Sequence, residues 1–200
     1  MGDITCSVVI PVYNEDKNIL EIHRQLTDVF SPLGINYEII FVDDGSTDRT
    51  YDKIIDLSKV RKDIIVFKLS RNFGKEAAIT VGLNHYNSDA IIIMDGDLQH
   101  PPCLIPALIA EWENGANIVD AVKIKRQKEN IIIKAMSLAF NKIMTSITGM
   151  DFIGSTDYKL LDRRAITVLN GIHEKNRFFR GLTNWIGLKH SKIQFRVEER

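Results

Sequence analysis

Residues 90–99 read Ala90-Ile91-Ile92-Ile93-Met94-Asp95-Gly96-Asp97-Leu98-Gln99, an unbroken apolar run that stops on two acids one residue apart. A run this short and this uniformly apolar predicts a strand buried on both faces, the kind found in parallel sheets. Open α/β sheets bind their ligands at the carboxyl ends of such strands. Asp95 and Asp97 therefore stand where a ligand is expected, and alternate residues of an extended chain point the same way. Two carboxylates together make a hard oxygen site suited to Mg2+ or Mn2+, shared with a phosphate. The plain alternative is a turn after a strand, since Asp and Gly both favour turns.

Outward from this run, the first half alternates strand-like and helix-like segments, which predicts an α/β fold with a mostly parallel central sheet. Strands are expected at residues 7–12, 37–42, 64–69 and 117–122. Asn14 can cap a helix whose apolar stripe runs Ile19, His23, Leu26, Phe30. Thr47 or Asp48 is expected to start a second helix, residues 74–86 form a third, and Pro101-Pro102 opens a fourth through Trp112. After Lys123 the pattern changes. Residues 123–130 are polar, and residues 131–147 predict a long helix with Ile132, Met136, Phe140, Ile143 and Ile147 on one side. Residues 178–189 mix aromatic and basic side chains. The expected organisation is an α/β half at 1–122 and an extension of the same domain at 123–200.

Bulk composition narrows the function. The chain has 200 residues, enough for a sizeable core. Its 26 basic and 26 acidic residues cancel, which argues against a protein that coats nucleic acid. Any phosphate ligand must be met by local arginines and lysines. Cys6 and Cys103 form no metal spacing and no disulfide framework, so both are expected as reduced thiols. No stretch reaches the roughly 18 consecutive apolar residues of a membrane span.

Three strand ends finish on polar groups: Tyr13-Asn14-Glu15, Asp43-Asp44-Gly45-Ser46 and Asp95-Gly96-Asp97. Acids clustered at one edge of a sheet repel each other unless a cation or hydrogen-bond donor sits among them. A nucleoside base offers donors and a divalent ion offers charge. Arg71 and Lys75, after the third strand, could meet a diphosphate.

The runs VVIPVYNE (8–15), EIIFVDDGSTDRT (38–50), LSRNFGKEAA (69–78), IIIMDGDLQHPP (91–102), TDYKLLDRR (156–164) and FFRGLTNWIG (178–187) resemble the family 2 glycosyltransferases. Within them the match is to polyprenyl-phosphate sugar synthases of the dolichol-phosphate mannose synthase and bactoprenol glucosyltransferase type. The resemblance implies a GT-A nucleotide-diphospho-sugar fold working at the cytosolic membrane face. It implies that Pro11, Tyr13, Glu15, Val42 and Asp44 hold the nucleoside. It also implies that Asp95, Asp97 and Gln99 surround the metal, with Gly96 letting the sugar nucleotide approach. The implied reaction inverts the sugar as it passes to a polyprenyl phosphate. Arg180 and Arg200 are candidates for diphosphate or acceptor-phosphate contacts, and Asp157 is a candidate base or a positioning acid.

Several positions depart from that pattern. Gly96 stands where many relatives have Ala, and Asp157-Tyr158-Lys159 stands where a Phe-Arg pair often follows the acid. The family's phosphate-binding run would begin at Arg200, so the chain is expected to be a fragment ending before membrane spans. Residues 131–147 and 178–189 suggest a membrane-facing side, though an apolar stripe ordinarily packs on its own sheet. A homo-oligomer is compatible with all of this. A UDP-sugar donor is favoured, with GDP-mannose as the alternative and a sugar-nucleotide-binding fragment without catalysis as another. A phosphatase of the haloacid dehalogenase type and a receiver-like module are rivals. The first wants Thr or Val where Gln99 stands, and the second is too short for this chain.

Overall fold

The computed structural model describes residues 5–85, 88–123, 156–172 and 178–195. The expected helix at 131–147, with Phe140 and Ile143, lies outside the described residues, as does Arg200. The chain begins with β1 (Thr5–Val12), α1 (Ile19–Phe30), β2 (Asn36–Asp43), α2 (Thr50–Val60) and β3 (Ile64–Lys68). There follow α3 (Lys75–Asn84), β4 (Ala90–Ile93), α4 (Ile105–Glu113) and β5 (Ile118–Lys123). The later segment supplies β6 (Lys159–Asp162), α5 (Arg163–Asn170), α6 (Phe179–Trp185) and β7 (His190–Phe195).

Seven strands form one sheet in the order β3-β2-β1-β4-β6-β5-β7. All run parallel except β6, which is antiparallel to both β4 and β5. Strand order reverses between β1 and β4, the kind of switch point where open α/β sheets form a ligand crevice. The strands of residues 159–162 and 190–195 enter the same sheet, so the described part of the second segment is built into one body with the first.

Alternation along each strand divides the core in two. Val8, Ile10, Ile39, Phe41 and Ile92 face α1, α2 and α4, whose Ile22, Leu26, Ile54 and Leu108 cover them. Val9, Ile40, Val42, Ile91 and Ile93 face α3, α5 and α6 through Ile79, Leu83, Ile166 and Phe179. The helices on both faces explain why β4, and β1 from Val8 to Val12, are apolar at every position rather than at alternate ones. Among the described residues no helix is long and apolar enough to cross a membrane. Both cysteines are free, Cys6 buried and Cys103 exposed.

Some expectations need correction. Asn14 does not cap α1, which starts at Ile19 after Asn18. Asn14 has a φ of 55° and its Oδ1 accepts from the Thr47 amide at 2.9 Å, so its side chain joins two loops instead. The second helix starts at Thr50; Asp48 supports that start, its Oδ1 accepting from the Thr50 amide at 2.9 Å. Pro101-Pro102 leads into a short 3-10 turn before α4. Strands β6 and β7 and helix α5 were not foreseen from pattern, although α5 buries Ala165, Ile166 and Leu169 on one face.

Gly82 on α3 is pressed against β1, where an added Cβ would meet Val9 Cγ1 at 2.3 Å. Alanine favours a helix interior by about 1 kcal/mol over glycine, whereas overpacking a core costs about 1–3 kcal/mol. The branched Val9 side chain has little freedom to yield. Gly82→Ala is therefore expected to lower the urea midpoint by an equivalent of about 1 kcal/mol; an unchanged or higher midpoint would show that α3 can move away from β1.

Candidate active site

The carboxyl ends of β1, β2 and β4 and the first turn of α3 enclose a cleft of about 290 Å³. Its walls are Pro11, Val12, Tyr13, Glu15, Asp44, Asn72, Gly74, Lys75, Asp95, Gly96 and Asp97. Local sequence explains each wall. The loops after β1 and β2 are stitched together: the Asn14 amide donates to Ser46 Oγ at 2.9 Å, and the Glu15 amide to Thr50 Oγ1 at 2.8 Å. Gly45 has a φ of 73°, and a Cβ there would meet the Arg71 carbonyl carbon at 2.4 Å. Only glycine allows that turn to lie against the chain leaving β3.

Asp43 and Asp44 divide their work. Asp43 is fully buried, and its Oδ1 accepts from the Ser46 amide at 3.1 Å, capping the turn. Asp44 accepts from the Phe73 and Gly74 amides at 2.7 and 2.9 Å. A carboxylate satisfied by amides at a helix N-terminus is favourably placed, because the helix dipole is positive there. Asp44 thus holds the entrance to α3 while its edge still lines the cleft.

Gly96 lies where a Cβ would meet Val12 Cγ1 at 2.8 Å. The chain after β4 therefore hugs the end of β1, and Asp95 and Asp97 emerge on either side of the contact. Leu98 follows with a φ of 62°, a left-handed conformation that costs roughly 1 kcal/mol for a non-glycine residue. That turn folds the Gln99 amide back onto Asp97 Oδ1 at 3.0 Å. Gln99 itself is exposed and is not part of the cleft wall. His100 takes the supporting position instead. It is buried, and its Nδ1 accepts from the Asp95 amide at 2.9 Å. Burial holds its imidazole below the usual histidine range, which keeps that nitrogen available as an acceptor. Its ring stacks on Tyr158 at 5.0 Å, and the Tyr158 hydroxyl donates to the Pro101 carbonyl at 3.0 Å.

A line of alternating charges crosses the floor. The Lys75 ammonium pairs with Asp95 Oδ1 and with Asp157 Oδ2, the latter at 2.6 Å. Arg180 forks onto the other side of Asp157, Nε to Oδ1 at 2.6 Å and Nη2 to Oδ2 at 2.8 Å. Burial alone would raise the Asp157 carboxyl, but Arg180 and Lys75 outweigh it and hold it well below the usual carboxylate range. Burial would likewise lower Lys75, yet Asp95 and Asp157 raise it. Helix α6, which carries Arg180, is tied to α3 where the Phe179 amide donates to Glu76 Oε2 at 3.1 Å.

The structure brings most of the anticipated residues together. Pro11, Tyr13, Glu15, Asp44, Lys75, Asp95, Gly96 and Asp97 share the cleft, and Asp157 and Arg180 join it through Lys75. Val42 is placed elsewhere: it is fully buried among Val9, Ile40 and Phe67 on the α3 side of the sheet. Arg71 is also outside the cleft wall, its guanidinium 4.7 Å from the Phe73 ring centre. Sequence reasoning passed over His100 and Tyr158. His100 follows the two acids with no metal-ligand spacing of its own, and only the pairing of β4 with β6 brings Tyr158 beneath it.

The donor set suits a hard divalent ion that shares its ligands with a phosphate. Asp95 and Asp97 are oxygen donors on either side of a glycine packed against Val12. Among the described residues no group of three or more His, Cys, Asp and Glu side chains could hold a metal alone. Water or a bound diphosphate would have to complete the coordination.

Residues 7–180 match the family described as Glycosyl transferase family 2. The chain is 36% identical over 198 residues to the "Uncharacterized glycosyltransferase YkcC" of Bacillus subtilis (strain 168), covering 98% of this chain and 61% of that protein. It is 37% identical over 198 residues to the "Uncharacterized glycosyltransferase sll0501" of Synechocystis sp., covering 98% and 62%. The chain thus spans about three-fifths of the length of these curated relatives. Among solved structures, the mannosyltransferase PcManGT of Pyrobaculum calidifontis in complex with GDP-Man and Mn2+ superposes with a TM-score of 0.67 at 18% identity, covering 97% of this chain and 56% of that one. The glucosyl-3-phosphoglycerate synthase of Mycobacterium tuberculosis in complex with Mn2+, UDP and phosphoglyceric acid gives 0.63 at 18%, covering 100% and 72%. Such likenesses establish the GT-A fold.

The Asp157 pairing makes a pH-dependent contribution. A carboxyl held below its unfolded value stabilises above an ordinary carboxylate pKa of about 3.9 and loses that contribution as pH falls through the folded value. Lys75 and Arg180 are both partly exposed, so solvent screening reduces the effect to about 1–3 kcal/mol. Asp157→Asn is expected to be less stable than the parent by that amount at pH 7, with the gap closing below about pH 4. Denaturation curves across pH test this; a gap that is constant or widens in acid contradicts it.

Proposed function

This chain belongs to glycosyl transferase family 2, and we propose that it moves a sugar from a nucleotide-diphospho-sugar to a polyprenyl phosphate at the cytosolic face of a membrane. The observation that carries this reading is the cleft at the β1–β4 switch point. It gathers two carboxylates across a glycine whose Cβ position is closed, with a lysine beside them. The polyprenyl acceptor rests on the six sequence runs quoted above, and a UDP-sugar is the favoured donor.

Each cleft residue has a part in that reaction. Tyr13 is 42% exposed at the rim, so its ring is open to a nucleoside, with Glu15 and Asp44 able to meet donors on the base or ribose. Gly96 keeps the turn after β4 against Val12, which brings Asp95 and Asp97 to the cleft where the diphosphate would lie. Asp95 and Asp97 hold the divalent ion, Mg2+ or Mn2+, which supplies Lewis-acid stabilisation of the departing diphosphate when bound. Lys75 stands beside Asp95 to receive charge as it grows on the diphosphate.

The nucleophile is an acceptor phosphate oxygen, already anionic near neutral pH because a phosphate monoester's second pKa is about 6. It attacks the anomeric carbon opposite the diphosphate. One carbon–oxygen bond forms as the other breaks, and the configuration inverts. No strong general base is needed. Asp157 is only 4% exposed, and both its oxygens are engaged by Lys75 and Arg180. That arrangement supports a positioning role over proton abstraction.

A thermal-shift panel of UDP- and GDP-sugars, each with and without Mn2+ or Mg2+, tests donor and metal together. The expected result is a rise of several degrees that requires both a UDP-sugar and a divalent ion, in line with mass-action stabilisation of about 2.7 kcal/mol at a ligand concentration 100 times Kd. Asp97→Asn is expected to erase the metal-dependent part. A larger rise with GDP-mannose would move the assignment to a mannosyl donor, and no rise with any sugar nucleotide would overturn the reading.

A further inference from the structure

The position of Lys75 carries a consequence for how ion and donor bind. Asp95 lines the cleft, and its buried Oδ1 is in contact with the Lys75 ammonium. The same ammonium touches Asp157 Oδ2, whose carboxylate is already forked by Arg180. A divalent ion taken by Asp95 would meet a positive charge at contact distance, in a cleft where the lysine side chain is about one-third exposed. Like charges this close repel strongly unless one of them moves or acquires an anion. Asp157 cannot absorb the displaced ammonium's full charge, because Arg180 neutralises it from the other side. A diphosphate can, since it brings negative charge to both cations at once.

We propose that Lys75 is an exchangeable counter-cation, which holds Asp95 against free divalent ions and releases it when a donor diphosphate arrives to share the ammonium. Ion and sugar nucleotide then bind as one coupled pair, and binding of a lone metal is disfavoured. The proposal rests on the glycosyl-transfer reading of the cleft and adds to it a role for one side chain in setting binding order. Asp157 and Arg180 are positioning residues in this scheme: they keep the ammonium within reach of Asp95 while limiting how far it can retreat.

The test uses the whole chain and reads free Mn2+ by its electron paramagnetic resonance signal, with no turnover needed. Mn2+ is titrated into the protein alone and into protein saturated with UDP. For the parent chain, UDP is expected to tighten Mn2+ binding by at least tenfold. Lys75→Met is expected to tighten Mn2+ binding without UDP by severalfold and to reduce the UDP-dependent gain. Lys75→Arg, which keeps the charge, is expected to resemble the parent. Should Lys75→Met fail to fold, Lys75→Gln carries the same comparison. Unchanged or weaker Mn2+ binding by the neutral variant without UDP overturns the proposal, whatever UDP does. The underlying reading fails separately: Asp97→Asn that binds Mn2+ and UDP as tightly as the parent shows that the cleft is not the metal–diphosphate site at all.

Discussion

Strand β4 is enclosed on all four sides, and the geometry of the cleft depends on it. Its two edges are hydrogen-bonded, to β1 in parallel and to β6 in antiparallel register, and its two faces are covered by opposite halves of the core. Ala90, Ile91, Ile92 and Ile93 have no measurable exposure. Polar side chains cannot be accommodated within that run without losing their hydrogen bonds to water. They are tolerated only where the strand ends, and Asp95 and Asp97 follow directly after Met94. The acids are thus placed by burial as much as by any property of their own. Gly96 then fixes how close the turn can come to β1, and the neutral His100 ring props the Asp95 amide from below.

Concentrating acids at one sheet edge creates a problem that α3 solves. Its N-terminal residue, Lys75, reaches the acids of the cleft floor, while the amides just ahead of it hold Asp44. One helix start therefore neutralises carboxylates in two ways, by a charged side chain and by oriented backbone amides. Arg180 completes the balance from the far end of the chain. Asp157, paired on both sides, is the joint between the two segments.

The sequence made the α/β class and the first five strands readable because each strand carries its own apolar run and each is bounded by turn residues. The cleft was readable for a related reason, since strand ends are where α/β folds hold ligands. What it concealed depends on distant partners. Strand β6 is four residues long and begins with Lys159, whose burial makes sense only through Asp120 and Thr183. Local pattern gives no reason to place a lysine in a sheet interior. Asn14 looked like a helix cap because asparagine caps well, but the loop after β2 competes for the same side chain. Val42 was assigned to the nucleoside through resemblance, whereas strand parity turns its side chain into the core. Gln99 lies outside the cleft wall and His100 supports Asp95, where the left-handed Leu98 turns the chain between Asp97 and His100.

The placement of Arg180 depends on a second buried polar cluster, behind α6. Lys159 Nζ lies 3.0 Å from Asp120 Oδ1 and donates to Thr183 Oγ1 at 2.9 Å. The two ring nitrogens of His190 face Asp120 Oδ2 at 2.9 Å and the Thr183 carbonyl at 3.2 Å. Buried ion pairs are weak evidence for stability, because desolvation offsets much of the Coulomb gain. Their geometric effect here is clearer. Helix α6 has seven residues, too few to persist through its own hydrogen bonds. It is held instead by what its side chains touch: Phe179 in the core, and Thr183 against both Lys159 and His190. The Thr183 hydroxyl in turn donates to the Arg180 carbonyl at 3.1 Å. The angle from which Arg180 meets Asp157 is thereby set by β5, β6 and β7 together, so the charge balance of the cleft rests on strands that show no sign of it in their own sequence.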